Sequence, residues 1–165
     1  MIQRVQSIFL FLVSLCMFLM IFFPLWEKIS VEDQQVVTLT AFTLTHYSID
    51  TTTEAPPVVI NQRQTFFIAI LAVIAALVAL YSIFQYRNRL TQMKLGALNS
   101  LLMGITLGIS LYFATSIGEE MLRPDLQGTY KLGFFLPAFA LIFNVIANRF
   151  IRRDEKLVRS VDRIR

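Results

Sequence analysis

Four long apolar runs constrain this chain more than any other feature: Ser7 to Trp26, Phe66 to Phe84, Ala97 to Ile117 and Leu132 to Ile151. A helix rises about 1.5 Å per residue and the hydrocarbon layer of a bilayer is about 30 Å thick, so roughly 20 apolar residues cross it. The expectation is therefore an all-α membrane protein, a four-helix transmembrane bundle forming a single domain over residues 1–165. Composition agrees, with 56% apolar and 16% charged residues, against about 45–50% and 25% in soluble domains. The net charge of +4 sits in short stretches beside the apolar runs, which is how a membrane protein distributes charge. Nucleic acid is not expected as a partner, because basic residues are not interleaved with stacking aromatics. The lipid bilayer is.

The first run begins after Arg4, as a secretory signal would, but it is too long for a typical signal and ends Phe22-Phe23-Pro24-Leu25-Trp26 without a small-x-small cleavage site. It is read as a retained span. Cys16 is the lone cysteine, so neither an intramolecular disulfide nor a thiolate metal site is expected. It is read as a small buried hydrophobe. Its neighbour Leu15 stands where a lipoprotein signal needs a small residue, which argues against lipidation.

Orientation follows from the lysines and arginines of the short flanks. Arg4 precedes span one, Arg87, Arg89 and Lys94 join spans two and three, and Arg149, Arg152, Arg153, Lys156, Arg159, Arg163 and Arg165 follow span four. The other two loops are acidic on balance, with Glu27, Glu32, Asp33, Asp50 and Glu54 in the first and Glu119, Glu120 and Asp125 in the last. Both termini are thus expected on the cytoplasmic side, with an outer loop at residues 27–64 and a cytoplasmic tail at 152–165. Trp26, Tyr112 and Tyr130 fall at the opposite level from Tyr81 and Tyr86, the belts expected of interfacial aromatics.

The outer loop is β-rich, above all Val36 to Thr45, which predicts a strand pair. Ile29 to Val31 and Val58 to Ile60 are candidate short edges, and the broken alternation at Ala41-Phe42 predicts a bulge or a change of exposed face. At the other end, Phe150, Leu157, Val158, Val161 and Ile164 recur at helical spacing among basic residues, predicting a basic amphipathic tail helix. Such a helix can lie on the anionic leaflet, pack under the bundle, dock a soluble protein partner, or simply anchor topology.

Span three carries Gly96, Ser100, Gly104 and Gly108 at four-residue spacing, a groove that another backbone can approach closely. Span two offers Ala72 and Ala76 among further alanines, so an intramolecular hairpin contact is expected, with homo-oligomerisation through span three as the alternative use. Asn144 and Asn148 share a face with Ala140 in span four and are expected to act as interhelical hydrogen-bond glue rather than as a ligand site. Pro137 is expected to kink or tighten the entry of that span. No ionisable residue lies deep in any run, which removes the simplest support for proton coupling or catalysis. Glu119, Glu120 and Arg123 are read as a solvated cluster at a helix end, and His46, the single histidine, as a sheet residue. No cofactor and no catalytic or metal-binding residue is expected.

The opening Met1-Ile2-Gln3-Arg4-Val5-Gln6, the stretch Leu136-Pro137-Ala138 through Asn144, Ala147-Asn148-Arg149, and the closing Asp154 to Ser160 and Asp162 to Arg165 carry a resemblance. The chain resembles a family of small four-span membrane proteins of unknown function from Bacteroidetes bacteria. The resemblance implies a bacterial inner-membrane location and assigns no activity. Function is expected to be non-enzymatic, as a small scaffold or accessory subunit of a membrane complex; the alternative is a small-solute transporter or channel component lined by Asn99, Asn144 and Asn148.

Overall fold

The computed structural model describes residues 2–49, 56–86, 88–122 and 126–162, with side chains from 5 to 156 within those ranges. Its helices are α1 (Ile2–Leu19), α2 (Phe66–Phe84), α3 (Arg89–Tyr112) and α4 (Leu132–Asp162). Strands β1 (Trp26–Ser30), β2 (Gln35–Leu39), β3 (Thr43–Ser48) and β4 (Val58–Gln64) lie between α1 and α2, and β5 (Thr129–Tyr130) precedes α4. A π-helical turn, Phe113–Gly118, and a 3-10 turn, Glu119–Met121, continue α3.

The helices pack as a ring in which α1 and α3 each touch both α2 and α4. Every helix turns inward a stripe whose spacing alternates between four and three residues. In α1 this is Gln6, Leu10, Val13 and Met17; in α2, Ile68, Ala72, Ala75, Ala79 and Ser82; in α3, Gln92, Gly96, Asn99, Met103, Thr106 and Ser110. Ala140, Asn144, Ala147, Ile151 and Asp154 complete the set on α4. A mean period of 3.5 is that of a left-handed bundle, and the small residues along the stripes let the backbones approach closely. Large apolar side chains point the other way. Ile8, Phe11, Phe18, Leu77, Leu101, Ile142 and Val145 are all exposed, a surface that water would drive to aggregate and that hydrocarbon accommodates. By length and composition α2, the α3 segment and α4 suffice to cross a membrane, and α1 contributes a shorter apolar helix.

Three boundaries differ from the expected ones. α1 ends at Leu19 rather than Trp26, because Leu25 N–H bonds Leu39 O at 2.8 Å and Trp26 pairs opposite Leu39, so the end of the apolar run belongs to the sheet. α3 starts at Arg89 rather than Ala97, since the Asn88 side chain caps it by accepting from Thr91 N–H at 3.2 Å. α4 runs unbroken for 31 residues to Asp162, with Pro137 inside it. The tail is therefore an extension of span four and not a separate surface helix. Pro137 is the sixth residue of α4, past the opening N–H groups that lack helical partners, so its ring removes the donor that Gly133 O would otherwise accept.

The sheet is larger than a strand pair with edges: its order is β4-β3-β2-β1-β5, antiparallel throughout, and β5 comes from the loop before α4. Ala41 and Phe42 form the β2–β3 turn and not a bulge; the irregularity lies between His46 and Tyr47 where β3 meets β4. That turn seats the sheet on the bundle. Thr65 N–H bonds Phe42 O at 2.8 Å, Ala69 N–H bonds Ala41 O at 3.2 Å, and the Thr65 hydroxyl donates to Thr40 O at 3.2 Å, so turn carbonyls satisfy the free N–H groups that open α2. Trp26, Val37, Leu39 and Leu44 consequently join Met17, Met20, Ile68 and Ala72 in one apolar core.

Candidate functional site

Polar side chains gather in three places, and each follows from the stripes and the sheet register. The first is inside the bundle. Asn144 Nδ2 donates to Gly96 O and to Ser100 Oγ, both at 2.7 Å, tying α4 to α3. A side chain at Gly96 would overlap the Asn148 carboxamide, so this glycine lets α4 press against α3. Further along, Gln6 Nε2 donates to Gln92 Oε1 and Gln92 Nε2 to Ser82 O, each at 3.1 Å, linking α1, α3 and α2 in one buried chain. Asn99 sits on the same α3 stripe with both amide atoms buried and unpartnered among the described residues, as are Asn144 Oδ1, Asn148 Oδ1 and Ser82 Oγ.

The groove of small residues is thus divided. Gly96 and Ser100 face α4 rather than the alanines of α2, while side chains added at Gly104 or Gly108 would meet nothing within 4 Å. Ala72 and Ala76 are buried in the core but do not receive that groove as the hairpin reading expected. Sequence reasoning also passed over Gln6 and Gln92; their places on the inward stripes were the available signal.

The second place joins sheet to bundle. Register puts Trp26 and Lys28 on the sheet face that meets the helices, and both are buried. Lys28 Nζ lies 2.7 Å from Glu119 Oε2 and donates to Glu119 O at 2.9 Å, while Glu119 Oε1 accepts from Gly128 N–H at 3.0 Å. The expected solvated cluster is therefore a structural ion pair at Glu119; Glu120 borders an adjoining recess of about 670 Å³, and Arg123 lies outside the described residues. The Trp26 indole occupies the space where side chains at Gly118 and Gly128 would stand. His46 is on the same sheet face, its Nε2 3.1 Å from Gln35 Oε1, and burial pushes the imidazole below its ordinary value. Among the described residues no group of three or more His, Cys, Asp or Glu comes together.

The third place is the far end of the bundle. Arg89 Nη1 donates to Asp154 O at 2.6 Å, fixing the start of α3 about six turns along α4. Arg149, Arg152, Arg153 and Lys156 project from α4 there and are exposed. Arg159 belongs to the same helix, its side chain outside the described set, and Arg163 and Arg165 lie outside the described residues.

With this geometry in view, the comparison with known families decides the affiliation. A family described as a domain of unknown function, DUF4293, matches residues 2–164. The chain belongs to this family. No curated protein matches it. The DUF4293 match takes in every element from α1 to α4, bundle and sheet alike.

Proposed function

We propose that this DUF4293 protein is a four-span bacterial inner-membrane protein with both termini and the α2–α3 turn in the cytoplasm and the sheet outside. It acts there as a non-enzymatic scaffold or accessory subunit of a membrane complex. The observation that carries this reading is the run of α4 past the bundle: beyond Asp154, level with the start of α3, the helix continues to Asp162. A basic helix standing off the membrane is a docking element for a soluble or peripheral partner. Orientation is supported by charge: Arg89, Lys94 and the α4 cations share one end, whereas Glu27, Glu119 and Glu120 share the other. Core side chains support a scaffold as well, since Val13, Met17, Ala72, Met103 and Ala140 fill the centre with no exposure.

The test is purification from native membranes in mild detergent through a tag inserted in segment 50–55, comparing the full chain with one ended after Lys156. A partner held by the full chain and lost on shortening supports the reading; identical recovery from both removes the tail as docking element. Topology is read separately, by labelling single cysteines at Thr52 or Ser160 in a Cys16→Ser background with an impermeant maleimide. Labelling of residue 160 from outside intact cells would invert the orientation.

A second reading, a small-solute path, draws on the unpartnered atoms of Asn99, Asn144 and Asn148. Solute uptake by proteoliposomes that falls on Asn99→Leu would favour it over the scaffold.

A further inference from the structure

Between α3 and α4, on the outer wall of the bundle, a groove of about 840 Å³ opens at the basic end. Its floor is Met93, Ala97 and Ser100 from α3 with Val145 and Asn148 from α4, and its rim is Arg149, Arg152, Arg153 and Lys156. Four cations thus stand over one cavity, and among the described residues no acidic side chain lines it. None of the four makes an ion pair with a carboxylate among the described residues; Asp154 is buried on another face, where its backbone oxygen accepts from Arg89. Helical spacing carries the α3 side of the groove from Ala97 and Ser100 on to Gly104, where an added side chain would meet nothing within 4 Å. Outward apolar side chains, Leu101, Ile142 and Val145, flank this smooth track.

We propose that this groove is a binding site for an anionic phospholipid of the inner leaflet, its phosphate among Arg149, Arg152, Arg153 and Lys156 and one acyl chain along Ala97, Ser100 and Gly104. The charge complement is direct: a phosphodiester accepts hydrogen bonds from guanidinium forks that pair with no carboxylate among the described residues. The position is also the one such a lipid occupies, a basic pocket between helices at the end of the bundle that faces the cytoplasm. Apolar Met93, Ala97 and Val145 below a cationic rim distinguish the site from a merely solvated helix end, because a free anion uses only the rim whereas a lipid uses both. The inference rests on the membrane orientation proposed above, and places a lipid contact on the outer wall of the bundle, next to the tail that was assigned to a protein partner.

The test uses the delipidated full chain in a neutral detergent, where no leaflet exists, so that a failure of the site and a failure of the topology remain separate results. Binding of phosphatidylglycerol is measured by native mass spectrometry and by the shift in thermal unfolding, against phosphatidylcholine with the same acyl chains. Phosphatidylglycerol is expected to bind and stabilise, and phosphatidylcholine to do so far more weakly. Each cation removed should weaken binding about fivefold, so Arg152→Gln with Arg153→Gln costs about twenty-fivefold, while Lys94→Gln, exposed on α3 outside the groove, costs little. Gly104→Leu leaves the rim intact and should weaken the lipid by obstructing its chain. Equal binding of the two lipids, or equal losses from Lys94→Gln and Arg152→Gln, would overturn the proposal. So would full competition by millimolar inorganic phosphate, which would reduce the groove to a rim for free anions. Binding of an acidic peptide with no binding of phosphatidylglycerol would overturn the lipid assignment and give the groove to a protein partner instead.

Discussion

Alanine at Asn144 and alanine at Asn99 remove the same atoms from the same bundle interior, yet the first should cost stability and the second little. Both side chains are buried, so the volume lost and the cavity left behind are alike, and these terms largely cancel in the comparison. What differs is bonding. Asn144 gives two hydrogen bonds of 2.7 Å to α3, whereas neither amide atom of Asn99 has a partner among the described residues. Interhelical hydrogen bonds in membranes average about 0.6 kcal/mol and reach about 1.7, so two of them contribute about 1–3 kcal/mol. Removing Asn99 instead relieves unpaired buried polar groups, which cost about 1–3 kcal/mol, and this offsets the cavity. The expected result is that Asn144→Ala unfolds earlier than Asn99→Ala by the sum of the two terms, about 2–6 kcal/mol, and that Asn99→Ala itself lies near wild type. Reversible unfolding in mixed micelles, followed by tryptophan fluorescence of Trp26 and by far-UV circular dichroism, measures both. Equal destabilisation by the two substitutions, or a larger loss at Asn99, would refute the argument that interhelical bonding rather than burial decides which polar residues hold this bundle.

Removing Lys28 as Lys28→Ala leaves Glu119 without its cation; that carboxylate is 32% exposed and can rehydrate in part, so the loss should be about 2 kcal/mol. The combined Lys28→Met and Glu119→Gln should recover most of it, as read by thermal unfolding. At Gly96, alanine must displace the Asn148 carboxamide and should cost about 1–2 kcal/mol, whereas Gly104→Ala meets open space and should gain up to about 1 kcal/mol from helix propensity. Differential scanning of both variants separates them. For His46, burial lowers the folded-state value, so the unfolded chain binds the proton more readily. The associated stability is complete above about pH 6.5 and is lost as pH falls from there through the folded value. Unfolding midpoints between pH 8 and 5 should show this loss, and His46→Gln should not.

Much of the scaffold was legible because helices long and apolar enough to cross a membrane leave a long, low-resolution mark. Apolar run length predicts helices whatever their neighbours, and the β-branched stretch from Val36 to Thr45 announced strands where the hairpin β2–β3 stands. Ends were harder. An apolar residue serves a helix in lipid and a strand over a core equally well, so nothing local distinguishes Leu19 from Trp26; the pairing of Trp26 with Leu39 and Tyr130 does. The tail's helical period was legible, but its continuity with α4 was not, since a positive flank is equally compatible with a break.

Residue types and their spacing, which alone can be read along a chain, determined that helices form, which end is basic and where small residues line one face. Tertiary structure decided what those features meet. Lys28 looked like an ordinary loop charge until register turned it inward to Glu119, and Gly104 looked like a packing residue until α4 took only Gly96 and Ser100. The physical reason is the same in each case. Periodicity assigns a residue to a face, but the partner across that face comes from sequence 44 to 91 residues away, and only closing the bundle and the sheet brings the two together.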